Sequence, residues 1–104
     1  MSDKRTKTDS DTLVQERVRT QKPKMFRVLL VNDDYTTMDF VVYILESIFL
    51  KSPSEATQIM LQVHKGGKGV AGIFSKQIAE AKIEQVHQRA RSEGHPLRCD
   101  MEEV

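Results

Sequence analysis

Asn32, Asp33 and Asp34 crowd together where the apolar run MFRVLLV ends, and Tyr35-Thr36-Thr37 and a second apolar run follow. Two carboxylates and an amide in three positions suit four tasks: holding a metal, accepting a phosphate, binding a cation, or making a turn. Acidic groups at the start of a helix rest stably without any ligand, because the helix N-terminus favours negative charge. A turn with a helix-dipole complement is therefore the plain reading. A phosphoacceptor receiver also ends its first strand in acidic residues. It needs about five βα units, however, and the 80 residues from Met25 onward lack that length and a later strand ending in an acceptor Asp. A metal site from Asp33, Asp34 and His64 uses common ligand types, yet no HExxH, EF-hand loop or paired-His motif accompanies it. Ser and Thr occur mainly at cap positions. Cys99 alternates with apolar neighbours, which marks a core thiol rather than a nucleophile.

These residues must be held by a small scaffold. The chain has 104 residues, enough for one small domain. Its 38% hydrophobic content supports a modest core without Trp, and the net charge of +1 selects neither nucleic acid nor a membrane. Residues 1–24 hold seven Lys/Arg against four Asp/Glu and few apolar side chains. Such composition buries too little surface to offset the entropy of ordering. We expect a flexible extension over 1–24 and one folded domain over 25–104. A single cysteine excludes an intramolecular disulfide. No stretch nears the ~20 apolar residues of a membrane span, and the N-terminus lacks a secretory h-region. The expected location is the cytoplasm.

Residues 25–32 read as a strand, with Phe26, Val28 and Leu30 on one face and Leu29 and Val31 on the other. Apolar residues on both faces predict a central strand covered on both sides. Thr36 then suits a helix N-cap, Asp39 the acid of a capping box, and Tyr35 with Phe40 a hydrophobic staple. Met38, Val41, Val42, Leu45, Ile48 and Phe49 carry this helix to about residue 50. Ser52 as N-cap, Pro53 and Glu55 open a second helix, with Ile59, Met60 and Val63 on its apolar side and Gly66 and Gly67 at its end. Residues 68–74 are a second strand. Ser75 is placed to cap a third helix with Ile78, Ala79, Ile83, Val86 and Ala90 at helical intervals, and Gly94 stops it. Residues 95–101 alternate Leu97, Cys99 and Met101 on one face of a last strand. The order β-α-α-β-α-β favours an α+β sandwich.

Four separated stretches, NDDYTTMDFVV, MLQVHKGGKGVAGIF, AEAK and HPL, strongly resemble the ClpS family in the right order over about residues 25–101. These are adaptors that give N-degron substrates to a Clp AAA+ protease. The resemblance implies three helices on a small three-stranded antiparallel sheet. It implies a non-enzymatic protein with no cofactor or metal, and no nucleic-acid or membrane partner. It implies binding of N-terminal Leu, Phe, Tyr or Trp and delivery to the N-terminal domain of a ClpA-type unfoldase. A free α-amino group has a pKa of ~7.7–8.0, so much of it is cationic at neutral pH. By motif position Asn32, Asp33 and His64 carry over as its acceptors, and Asp34 and Thr36 as backbone or turn contacts. Met38, Val41, Met60, Val63 and Leu97 carry over as the side-chain pocket, with Met38 as a gate against β-branched residues. Lys82 and Glu80 carry over to the unfoldase-docking face, and Gln77 sits where relatives can carry Glu. Thr37 stands where many relatives have Pro, and Asp39 where Glu is common. The tail resembles the segment that relatives feed toward the unfoldase.

Overall fold

The computed structural model describes residues 22–104, so nearly all of the expected extension over 1–24 lies outside the described residues. The elements are β1 Met25–Val31, α1 Met38–Ser47, α2 Pro53–Gly66, β2 Lys68–Ser75, α3 Lys76–Ser92 and β3 Arg98–Glu103. Their order is the expected β-α-α-β-α-β. β1 is central in a sheet of order β2-β1-β3, antiparallel to both neighbours.

All three helices contribute to a core built on one face of this sheet. Val28 and Leu30 of β1 are fully buried there with Ile44 and Leu45 of α1, Ala56 and Val63 of α2, and Ala79, Val86 and Ala90 of α3. The other face departs from the expectation of full cover. Leu29 is buried, but Arg27, paired with exposed Ile73 and with Glu102, faces solvent and reaches the Glu102 carboxylate at 3.2 Å. Gln58, Leu61, Gln62 and Lys65 of α2 line a hollow with Leu29 and Val70, so this face is covered at Leu29 and open at Arg27. A bulge interrupts the β1–β2 ladder: Val28 opposes Gly72 and Leu29 opposes Val70, leaving Ala71 as the extra residue, wholly buried.

The helix ends follow local chemistry, with corrections. Ser52 and Glu55 form the full capping box: the Glu55 N–H donates to Ser52 Oγ, and the Ser52 N–H donates to Glu55 Oε1, each at 3.2 Å. Gly67, at φ 91°, closes α2. At α1 the cap is Thr37, not Thr36, and Thr37 Oγ1 accepts from the Phe40 N–H at 3.1 Å. Asp39 is thus one position early for a box, although its charge still lies in the first turn. The expected staple is also absent. Tyr35 is exposed, and the Phe40 ring stacks instead on His95 at 4.2 Å. Ser75 holds the N-cap position of α3 without a side-chain bond, and Ile78 is exposed rather than inward.

Two segments end differently from the sequence reading for identifiable reasons. α1 stops at Ser47 because the Lys51 N–H reaches back six residues to the Leu45 carbonyl at 3.0 Å, past Leu50 at φ 56°. Lys82 Nζ donates to the Ile48 carbonyl of the same helix end at 2.7 Å. β3 begins at Arg98 because Arg91 Nη1 takes the His95 and Leu97 carbonyls, both at 2.9 Å, out of the sheet. The alternation of Leu97, Cys99 and Met101 toward the core holds. Burial pushes the Cys99 thiol up to about 12, which fits a packing role. His87 Nε2 accepts the Cys99 N–H at 3.1 Å and ties α3 to β3.

Helix α2 approaches the sheet closely at Gly69. A Cβ there would meet Val63 Cγ2 at 2.7 Å and the Ile59 carbonyl at 3.2 Å. Gly69→Ala is expected to destabilise the domain by roughly 1–3 kcal/mol, through overpacking that displaces Val63. Urea denaturation checks this, and an unchanged midpoint would show that α2 yields freely.

Candidate functional site

The junction between β1 and α1 is organised by one carboxylate. Asp33 Oδ1 accepts from the Tyr35 N–H at 2.8 Å and the Thr36 N–H at 2.7 Å, and Oδ2 accepts from Thr36 Oγ1 at 2.7 Å. Asp side chains favour such local turns because they mimic a backbone acceptor. Burial by itself would raise the Asp33 pKa. The bonds from the Thr36 side chain, the Thr36 N–H and the Tyr35 N–H, together with neighbouring His95, outweigh that effect and hold the carboxyl below its ordinary value of 3.8.

A second tie brings α2 to the same place. The Asn32 N–H donates to the Gly67 carbonyl at 2.9 Å, so the end of β1 is fastened to the turn that ends α2. His64, in the last turn of α2, therefore stands beside the Asn-Asp-Asp corner. A helix C-terminus carries partial negative charge, which adds to the acidic character of the corner.

Between these ties lies a hollow of about 380 Å³. Residues 32–37 form one wall, Met38 and Val41 of α1 another, and Met60, Val63 and His64 of α2 the third. Val41, Met60 and Val63 are buried and make an apolar floor, whereas Met38 is 47% exposed and stands at the rim. Met38 and Val41 share a helical face, as do Met60 and Val63. One end of the hollow is thus rich in acceptors and the other apolar. Three larger hollows, about 590 Å³ beside α3, about 550 Å³ along β2 and about 530 Å³ at Tyr35, Arg91 and His95, lack such a cluster of acceptors.

The expected site residues are mostly, but not all, brought together. Asn32, Asp33, Asp34, Thr36, Met38, Val41, Met60, Val63 and His64 all line the hollow. Leu97 does not line it directly: it is 1% exposed, in the same buried cluster as Val41, Met60 and Val63. Asp33 has three acceptor positions engaged by the turn, of the roughly four that a carboxylate offers. The carboxylate of Asp34 is exposed and makes no side-chain hydrogen bond among the described residues. The side-chain hydrogen bonds that shape the turn are made by Asp33 with Tyr35 and Thr36. Glu80 and Lys82 are two positions apart on α3, hence about 200° around its axis, and project from different sides. Lys82 is bound to the α1 end and lies 5.8 Å above the Phe74 ring.

Sequence reasoning missed His95 as a neighbour of the corner. His95 lay in a stretch read as strand, and only the stacking on Phe40 places it near Asp33. Among the described residues, no three His, Cys, Asp or Glu side chains converge as a metal site. The receiver reading fails on the fold, because the sheet is antiparallel with three strands.

Asp33 contributes stability that is present above its ordinary pKa and lost as pH falls through its depressed folded value. Asp33→Ala is expected to cost about 1–2 kcal/mol at pH 7 through three lost bonds. The variant should also lose less stability than the parent between pH 4 and pH 2. Chemical denaturation across that range is the check, and parallel acid limbs for parent and variant would refute the turn's dependence on this charge.

Comparison with known proteins identifies the family and the fold. The family model described as ATP-dependent Clp protease adaptor protein ClpS matches residues 21–100. A ClpS adapter protein of Nitratidesulfovibrio vulgaris is 55% identical over 96 residues, covering 92% of this chain and 94% of the relative. One from Oleidesulfovibrio alaskensis is 54% identical over the full length of both chains. Among solved structures, Agrobacterium tumefaciens ClpS2 bound to L-phenylalaninamide superposes with a TM-score of 0.77 at 31% identity, covering 80% of this chain and all of that one. No helix among the described residues is long and apolar enough to cross a membrane. With the family model spanning most of the chain, relatives above half identity and the expected fold in place, this chain belongs to the ClpS family of Clp protease adaptors.

Proposed function

We propose that the hollow receives the first residue of a substrate chain when that residue is Leu, Phe, Tyr or Trp, and that the adaptor then delivers the substrate to a ClpA-type AAA+ unfoldase. One observation carries the reading: polar acceptors and a buried apolar floor share a single cavity. An N-terminal residue has the same two parts, a cationic amine and a side chain. The structural relative bound to L-phenylalaninamide, a free amine with an aromatic side chain and no carboxylate, supports this match.

In this reading Asn32 Oδ1 and the Asp34 carboxylate accept from the ammonium, and a neutral His64 ring nitrogen accepts a further bond. Asp33 holds the loop and keeps one acceptor position for the same group. Charge-assisted bonds of this kind are stronger than neutral ones. The side chain lies on Val41, Met60 and Val63, whose polarizable Met allows rings of different shape. Met38 closes the rim near the substrate's Cβ, where a β-branched residue has an extra heavy atom to place. Leu97 supports the floor from within the core. The protein acts by binding, without a reaction of its own.

Fluorescence anisotropy with a labelled peptide that begins with free Phe tests the reading. Acetylating the amine removes its charge and leaves acceptors unpaired, so affinity should fall by roughly 10- to 100-fold. A Val-initial peptide should bind worse than a Phe-initial one, and Met38→Ala should narrow that gap. Asp34→Asn should weaken the free-amine peptide by about 10-fold while leaving stability unchanged. Equal binding of free, acetylated and Val-initial peptides would reject the assignment. Delivery is measured as degradation of a Phe-initial reporter by the assembled Clp protease with and without the adaptor.

A further inference from the structure

We propose that residues 9–16, a segment outside the described residues, fold back on their own domain and seat Leu13 and Val14 in the groove between α2 and β2. The groove holds about 550 Å³. Leu29 and Val70 line it from the sheet, and Leu61 lines it from α2. Leu61 and Val70 are each 38% exposed, so apolar surface is left open there. That surface continues beyond the groove. Ile73 pairs with Arg27 and Val70 with Leu29, so both stand on the open face of the sheet. Met25 alternates onto the same face, and both Met25 and Ile73 are exposed. An apolar track thus runs past Arg27 from the first residue of β1 to the groove, and the described residues leave it without cover.

Reach and charge identify the occupant. Leu29 stands four positions along β1 from Met25, ~13 Å at the rise of a strand. Val14 precedes Met25 by eleven positions, a mean reach of roughly 16–20 Å for a flexible chain. So short a tether holds the segment at a millimolar effective concentration, and a small contact then suffices. The lining of the groove includes Lys65 and Lys68 and no carboxylate among the described residues. Residues 9–16, DSDTLVQE, hold three acids and no base around Leu13 and Val14, within an extension that is otherwise basic. Arg17, Arg19, Lys22 and Lys24 lie between that stretch and β1. On the open face they meet Asp100 and Glu102, which sit across the ladder from Leu29 and Arg27. The order of charge along the segment therefore matches the order of charge across the face. A second copy fits less well, because two such grooves face to face would set Lys65 and Lys68 against themselves. The groove shares no residue with the hollow lined by Asn32 and His64, so this docking is independent of the ligand assigned there.

Paramagnetic relaxation measured by NMR on the full chain tests the fold-back. A nitroxide is attached through Ser10→Cys, and Cys99, the only native cysteine, is buried and stays unlabelled. The amide signals of Leu61, Lys65 and Val70 are expected to lose roughly half their intensity or more, and those of Gln85 and Arg89 on α3 far less. Leu13→Asp with Val14→Asp, added to the labelled chain, should restore the groove signals, and these changes lie outside the folded domain. Leu61→Gln in the groove should restore them as well, and high salt should do so in part. Equal loss at the groove and at α3 would overturn the docking. A groove pattern that survives Leu13→Asp with Val14→Asp would overturn the assignment of these two side chains. Mixing nitroxide-labelled with isotope-labelled chains separates the occupants: broadening between chains rather than within one would give the groove to a second copy and overturn the fold-back.

Discussion

The three hydrogen bonds gathered by the Asp33 carboxylate are the constraint on which the candidate site depends. Without them the chain leaving β1 has no reason to turn sharply, because Tyr35 is exposed and offers no packing to hold it. With them, Thr36 is fixed and Thr37 is delivered to the cap of α1. The first turn of α1 then sets Met38 and Val41 over the hollow. A single ionised side chain thus converts the end of a strand into the wall of a cavity. It also leaves the next carboxylate, Asp34, facing open space.

The opposite wall is set by a different interaction. The Asn32 N–H is bound to the Gly67 carbonyl, so α2 ends where β1 ends. Gly67 is glycine because the turn needs φ of 91°. Gly69 follows because α2 lies so close to β2 that Val63 occupies the place of a side chain. The KGGKG stretch is therefore a packing device as much as a turn. It lets His64 and Met60 face the Asp33 loop across a gap wide enough for one large side chain.

Much of this arrangement was legible from the residues. The Ser52–Glu55 box, the Gly67 stop and the alternation of Leu97, Cys99 and Met101 all act over a few positions, where sequence and backbone geometry are tightly linked. The boundary at Thr36 and Thr37 was not legible, since both residues cap equally well in isolation. The choice between them was made by Asp33, which claims the Thr36 hydroxyl and leaves Thr37 to the helix. The open face of β1 was also hidden, because Leu29 and Val31 look like core until their neighbours Asp100 and Arg98 are placed across the ladder. Leu97 was assigned to the pocket through motif position; its side chain lies in the buried cluster that holds Val41, Met60 and Val63, while Arg91 binds its carbonyl. The departure at Thr37 has a local answer. The hydroxyl supplies a cap bond to Phe40 that proline lacks, while its φ of −73° is one proline also adopts.

The central claim is a division of labour, in which Asp33 builds the loop and offers the amine only its one remaining acceptor position, while Asn32, Asp34 and His64 meet the ligand. A crystal structure of the chain with phenylalaninamide tests it most directly. The account predicts the ammonium within hydrogen-bond distance of Asn32 and Asp34, the phenyl ring against Val41, Met60 and Val63, and the Asp33 bonds to Tyr35 and Thr36 intact. An Asp33 carboxylate rotated out of its turn to hold the amine, or a ring seated outside this hollow, would contradict it.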